Sequence, residues 1–243
     1  MTHSKTPFAV QQSRYRQAWT GLGIVLIAPL LVFGACVALR LNLIPLSVAL
    51  DLITLGIAWP LSWLGAIAAL GTVWISRGAG KGGWIPAVLA TMAAVMTLGV
   101  FMVHFQKAGA DTSRPNVMTD ASDPPAFRTA IMNARRAAGA PPLDRWVGDP
   151  GHCPGATAVM TQVAPGVAGY GLQQAGFEIT SLGVARADGV YKGFWFGRTW
   201  DAVIRIRPGR TDVRVIARDD RPTDEGQACR LATRILDNLQ VRE

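Results

Sequence analysis

DAVIRIRPGRTDVRVIAR, residues 201–218, decides the fold of the C-terminal half of this 243-residue chain. Its arms, 201–207 and 212–218, both alternate apolar and polar residues with period two, the pattern of half-buried strands joined by a tight turn. With Gly209 and Arg210 as the central turn residues, Ile206 faces Val213, Ile204 faces Val215 and Ala202 faces Ala217. That uniformly apolar face must turn to the core, because a one-residue slip would mismatch both faces. The other face then pairs Arg207 with Asp212, Val203 with Ile216 and Asp201 with Arg218, and sets Arg205 against Arg214. Like charges directly opposed destabilise a sheet, so something must offset them. Solvent screening, or an acid from the preceding linker folding over the sheet, is one answer. The other is a binding face made of Arg205, Arg214, Val203 and Ile216 that receives an anionic lipid headgroup, an anionic polymer or an acidic envelope protein.

Working outward, the chain closes on a helix over about 224–240. Thr223 or Asp224 can cap it, and Ala228, Leu231, Ala232, Ile235, Leu236 and Leu239 recur on one face. Upstream, FEITSLGV (177–184) and VYKGFWFG (190–197) read as strands around an ARADG turn, and TAVMTQV (157–163) as another strand. Pro165 and Gly176 suit the start and end of a helix that packs through Ala168, Leu172 and Ala175. Residues 127–136 suit a short helical turn. The order strand, helix, three strands, helix predicts an α+β domain over 127–243, an antiparallel sheet with two helices on one face. Residues 107–126, rich in Asp, Pro, Ser and Ala, read as an extended linker.

The first half has another character. Of 24 cations and 16 acids, only six cations and one acid precede Lys107. Three stretches without Asp, Glu, Lys or Arg lie between Arg16 and Arg40, Asp51 and Arg77, and Lys81 and Lys107, each long enough to span a bilayer as a helix. The expected organisation is a tail over 1–16, a three-helix transmembrane region over 17–106, the linker, and the domain. Pro29, Pro60 and Pro86 read as kinks or helix starts, and Trp59, Trp63, Trp74 and Trp84 as interfacial anchors. Lys5, Arg14 and Arg16 in the tail, with Arg77 and Lys81 in the second loop, place the N-terminus in the cytoplasm by the positive-inside rule. Three crossings then put the domain outside, in the periplasm of a Gram-negative cell. The first span lacks a small-residue cleavage site and reads as retained. The sequence around GAGKGG is not a phosphate loop: Ile75 stands where the first Gly must be, and Gly82 where Ser or Thr must be.

The linker and domain carry 18 cations and 15 acids, too even a balance for nucleic-acid binding. His152 beside Cys153 is neither a zinc site nor a nucleophile pair, and no cofactor or metal pattern is present. Asp219, Asp220, Asp224 and Glu225 cluster before the last helix. With Arg221 they could serve a small periplasmic hydrolase or modifying enzyme; a cap and a solvated turn is the favoured reading, because helix starts attract acids for electrostatic reasons. Asp144 and Asp149 flank Trp146 without further partners. Cys36 falls within the first span, which leaves Cys153 and Cys229 as a disulfide candidate in an oxidising compartment, the alternative being two free thiols. No nucleophile, base and orienting group can be assembled. The favoured reading is therefore a non-enzymatic binding or interaction module anchored in the inner membrane, with the lipid bilayer as one partner.

Several segments from about residue 115 to the C-terminus resemble a bacterial domain family of unknown function, number fourteen ninety-nine of that series. MTDASDPPAF is similar to its TTD-x-x-x-PPAF opening. AGFEITSLG resembles its helix-end and strand segment, FWFGRTWDAVIRIR its WFGF-x-DD-x-x-x-RVR stretch, and VRVIARDDRPTDEGQACRLATRIL its VRSVSRxGRSDLGxNAxRI stretch. Arg198, Asp220, Pro222 and Cys229 depart from the pattern. The family has no established activity, and members with three preceding membrane helices occur in it. The resemblance thus implies fold and topology.

Overall fold

The computed structural model describes residues 7–77, 83–110, 114–144, 153–221 and 223–240. His152, Trp146 and Asp149 lie outside the described residues. The chain divides into two units, Met1–Phe105 and Gln106–Glu243.

The first unit contains three helical stretches long and apolar enough to cross a membrane, over Gln11–Arg40, Ser47–Ser76 and Trp84–Gln106. The protein is a multi-pass membrane protein. Helix α1 runs Pro7–Arg40, so the expected tail is helical from Pro7. The second span starts before Asp51: a π-helical segment, Ser47–Ala58, runs into α2, Trp59–Ser76, with Pro60 in its first turn, where a missing N–H is tolerated. Helix α3 runs Trp84–Ala110. Small residues line the helix contacts. Ser62, Gly65, Ala69, Thr72 and Ser76 are the buried side of α2, and a Cβ at Gly65 would lie 3.6 Å from the Val25 backbone. Such small faces let helix backbones approach, since lipid leaves no hydrophobic drive between helices. Trp59 packs on Phe101 and Phe105, with ring centroids 5.2 and 4.9 Å away.

The second unit is an α+β domain. Strands β1 (Asn116–Met118), β2 (Glu178–Gly183), β3 (Arg186–Lys192), β4 (Thr199–Arg207) and β5 (Arg210–Ala217) form one antiparallel sheet in the order β1-β5-β4-β3-β2. Helices α5 (Pro165–Gln174) and α6 (Gln227–Gln240) cover one face. There Ala202, Ile204, Ile206, Val213, Val215 and Ala217 meet Leu172, Leu231, Ile235 and Leu236 in the main core. All six helix positions anticipated from the spacing in α6 are buried. Helix α5 ends at Gly176, φ +90°, where the Gly176 and Phe177 N–H groups reach the Gln173 and Leu172 carbonyls, a Schellman closure.

Five local expectations fail. The run 190–197 is strand only to Lys192, at the end of β3, and continues as a loop. Residues 157–163 make no strand; only Val159 bridges to Thr211. The β2–β3 turn is Val184–Ala185, so most of ARADG lies within β3. The supposed linker supplies β1, at the free edge of β5. The hairpin register differs by two residues: Arg207 pairs with Arg210, so Pro208 and Gly209 are the central turn residues. Proline fixes the first turn position and Gly209 takes φ +73° at the second, the residue order of a type II turn. An even shift keeps every side chain on its face, so the core face stands while the cross-strand partners change.

Candidate functional site

The outer face of the sheet carries the residues anticipated to bind a partner. In the observed register Arg205 lies opposite Asp212 and Val203 opposite Arg214. The Arg205–Arg214 repulsion that motivated the binding face does not exist. The face is also covered. The segment after β1 crosses it and forms α4 (Thr129–Ala137), seating Phe127 and Ile131 on Val203 and Ile216. Val203 and Ile216 are each 1% exposed and Arg214 3%. Arg214 donates to Asn116 Oδ1 at 3.1 Å and to the Leu143 carbonyl at 3.1 Å, with its guanidinium 5.4 Å from the Phe127 ring centre. Burial first, then nearby Arg135, brings its pKa down to about 10. Arg214, Val203 and Ile216 are interior residues, out of a ligand's reach.

Three aspartates, one on each of β3, β4 and β5, organise this face. All are fully buried. Asp188 on β3 meets Arg128 at 3.2 Å and Arg186 at 2.7 Å. Asp201 on β4 meets Arg135 of α4 at 3.1 Å and Arg218 at 2.6 Å. Asp212 on β5 meets Arg205, Arg207 and Arg210 at 3.2, 2.5 and 2.7 Å. Burial works to raise the Asp212 carboxyl, and hydrogen bonds from Arg210, Arg205 and Arg207 more than reverse it. Asp120 and Asp123 complete the network from the crossing segment: Arg205 and Arg207 donate to Asp123 Oδ2 at 2.9 and 3.0 Å, and Arg207 to Asp120 at 3.1 Å. Asp120 is held well below the usual carboxylate range by Ser122, by the Asp123 N–H and by Arg207. Five carboxylates thus absorb the outward arginines, and the crossing segment is clamped to the sheet. The acid expected from the linker folding over the sheet is found twice, as Asp120 and Asp123, although sequence reasoning did not name them. The available signal was two acids, seven and four residues before the aromatic Phe127, in a chain with an arginine-rich strand.

The acidic cluster before α6 is dispersed among structural roles. Asp219 accepts two hydrogen bonds from Arg198, at 2.9 and 3.0 Å. Asp224 is buried. Its Oδ2 accepts from Trp200 Nε1 at 2.9 Å and from the Ala228 N–H at 2.6 Å, so it caps α6 from within the core. Glu225 occupies left-handed backbone, φ +57°, in the turn before Gly226. Asp220 is exposed.

Desolvation pushes the Asp224 carboxyl up to about 6, against opposing contributions from Trp200, Ala228 and Arg198. The folded state therefore binds this proton more tightly than the unfolded chain does. Stability from this group is present at acid pH and is lost as pH rises from about 4 through 6, on the order of 3 kcal/mol in all. Chemical denaturation of the detergent-solubilised chain at pH 7.5 and pH 5 should show a higher midpoint at pH 5. The increment should vanish in Asp224→Asn; an increment that persists would assign it to another group.

Cys153 and Cys229 are joined by a disulfide, Cα atoms 5.7 Å apart, and it ties the loop before α5 to the first turns of α6. Among the described residues no three His, Cys, Asp or Glu side chains are grouped to hold a metal ion. Comparison of the chain with protein-family models, with curated proteins and with solved structures finds no match in any of the three.

Proposed function

We propose that this is an envelope protein of the bacterial inner membrane whose C-terminal domain faces the periplasm and acts as a binding or interaction module. The observation that carries the reading is the fate of the charged side chains: the buried carboxylates close the domain's own fold and are spent on arginines, a cap and an indole. A domain built this way offers surface for contact. The disulfide suits an oxidising compartment, and the cation-rich N-terminal tail and second loop support the orientation. Membership of the domain family that the 115–243 motifs resemble belongs to the same proposal.

Alkaline phosphatase fused after Glu243 should be active, since that enzyme folds only outside the cytoplasm. A fully expressed but inactive fusion would reverse the orientation. A thiol-reactive polymer added to denatured, unreduced cell extract should label one cysteine, Cys36, and all three after reduction.

The hydrolase alternative requires the acidic cluster to react. Asp220→Asn combined with Glu225→Gln should still complement a deletion strain if the domain is an interaction module. A folded double variant that fails to complement would favour the enzyme.

A further inference from the structure

We infer that the β3–β4 loop, Gly193–Arg198, is a lipid-contact element that inserts Phe194 and Trp195 into the interface of the bilayer to which the chain is anchored. Phe194 is 76% exposed and Trp195 64%, and their rings pack edge to face with centroids 5.3 Å apart. Adjacent large aromatics held outward at a turn are costly to leave in water, because each carries a large apolar area.

The loop is built to project them. Its base is closed by the Gly193 N–H donating to the Arg198 carbonyl at 2.7 Å. Arg198 is in turn fixed by Asp219 and stacks on Trp200, with its guanidinium carbon 5.2 Å from the ring centre. Gly197, φ +60°, supplies the left-handed residue that turns the chain back. Exposed Lys192 precedes the loop, and a lysine can lay its stem along an apolar surface with its ammonium in the headgroup layer.

Placement within the sheet identifies the occupant. The chain enters the sheet at Pro115, whose carbonyl accepts the Ala217 N–H at 2.8 Å. Ala217 pairs with Trp200, and Trp200 with Tyr191, so the entry point and the β3–β4 loop share one end of the sheet. Strands are spaced about 4.8 Å, which puts the loop roughly 10–15 Å along that end from the entry point. The last membrane-spanning stretch ends at Gln106. About nine residues separate it from Pro115, a reach of at most about 32 Å. The sheet end bearing the aromatics is therefore the end tied to the bilayer by a short stretch of chain. So short a connection holds the loop at high effective concentration near lipid, and two aromatics then suffice without strong intrinsic affinity. Trp and other amphipathic rings favour the headgroup level. Val184, 86% exposed in the β2–β3 turn, lies at the opposite end of the sheet and serves as the internal contrast.

The test uses the full chain with Cys36→Ala, reconstituted without reductant in liposomes of phosphatidylcholine and phosphatidylglycerol at three to one. A nitroxide is placed at Phe194→Cys, at Trp195→Cys or at Val184→Cys, all surface positions whose replacement leaves the core intact. The ratio of oxygen to nickel-chelate accessibility should be several-fold higher at 194 and 195 than at 184. Equal ratios at the three sites would overturn the inference by placing the loop in water. Protection at 194 and 195 from both oxygen and chelate would also overturn it, because that signature belongs to a protein contact, either a second copy or the anchor helices. The readout is independent of which compartment holds the domain, so its failure and a failure of the proposed orientation are separable.

Discussion

Asp201→Asn should destabilise the domain by about 3–5 kcal/mol, the cost of removing one partner from a buried ion pair. Asp201 is fully buried and accepts from Arg135 at 3.1 Å and from Arg218 at 2.6–3.0 Å. Burial already lowers the Arg135 pKa, and Asp201 is the group that opposes this. Asparagine keeps the shape but turns an amide N–H toward a guanidinium that is 2% exposed, leaving that charge unneutralised. Domains are stable by roughly 5–15 kcal/mol, so this single change consumes a large share. Pulse proteolysis of the solubilised chain across a urea series measures it. Asp123→Asn provides the scale: Asp123 contacts two arginines of the same face, yet its side chain is 62% exposed, and its loss should cost less than about 1 kcal/mol. Equal losses for the two variants would refute a buried electrostatic keystone at Asp201.

Removing the Cys153–Cys229 bridge, by reduction or by a double Cys→Ser replacement, should cost about 4 kcal/mol. The bond spans 76 positions, and the chain-entropy model assigns about that much to a loop of this length. Both sulfurs lie beside the main core, and serine hydroxyls there add a smaller desolvation cost. Urea midpoints with and without reductant give the difference directly. Cys36 is a free, buried thiol elsewhere in the chain, so a change under reductant reports on this bond alone. A shift below about 1 kcal/mol would mean that the reduced chain already holds these two segments together.

Much of the domain was legible because periodicity survives errors of register. The alternation in 201–218 assigned every side chain to its correct face although the pairing was two residues out. Only the turn chemistry, Pro208 followed by Gly209, could have chosen the right register. Helix α6 was legible from six apolar positions at helical spacing, and α5 from Pro165 and Gly176 at its ends. The region 114–144 was legible only in part: the short helix expected over 127–136 is α4, but the path of the chain across the sheet was not foreseen. Strand β1 has three residues, too few for a period, and its place in the sheet depends on an open edge of β5 a hundred positions away. The binding face was misread for the same reason: a row of arginines and valines looks exposed until the acids and Phe127 that cover it are known. The aromatic tip at Phe194–Trp195 was hidden inside a run read as strand, because FWF scores as a good strand core wherever it lies.

The long-range clamp of residues 114–144 also dictates when the domain can fold. β1 finds its strand partners only at Arg214, Val215 and Ile216, and Asp120 and Asp123 find theirs at Arg205 and Arg207. Cys153 waits for Cys229. Synthesis delivers the chain from its N-terminus, so roughly a hundred residues must emerge before the earliest segment can dock. Non-local closure of this kind slows folding, because the entropy of a long loop is lost before any contact rewards it. Nascent chains stalled before β5 should therefore stay protease-sensitive throughout this half. Oxidation of the cysteine pair is accordingly a late event that seals an assembled domain.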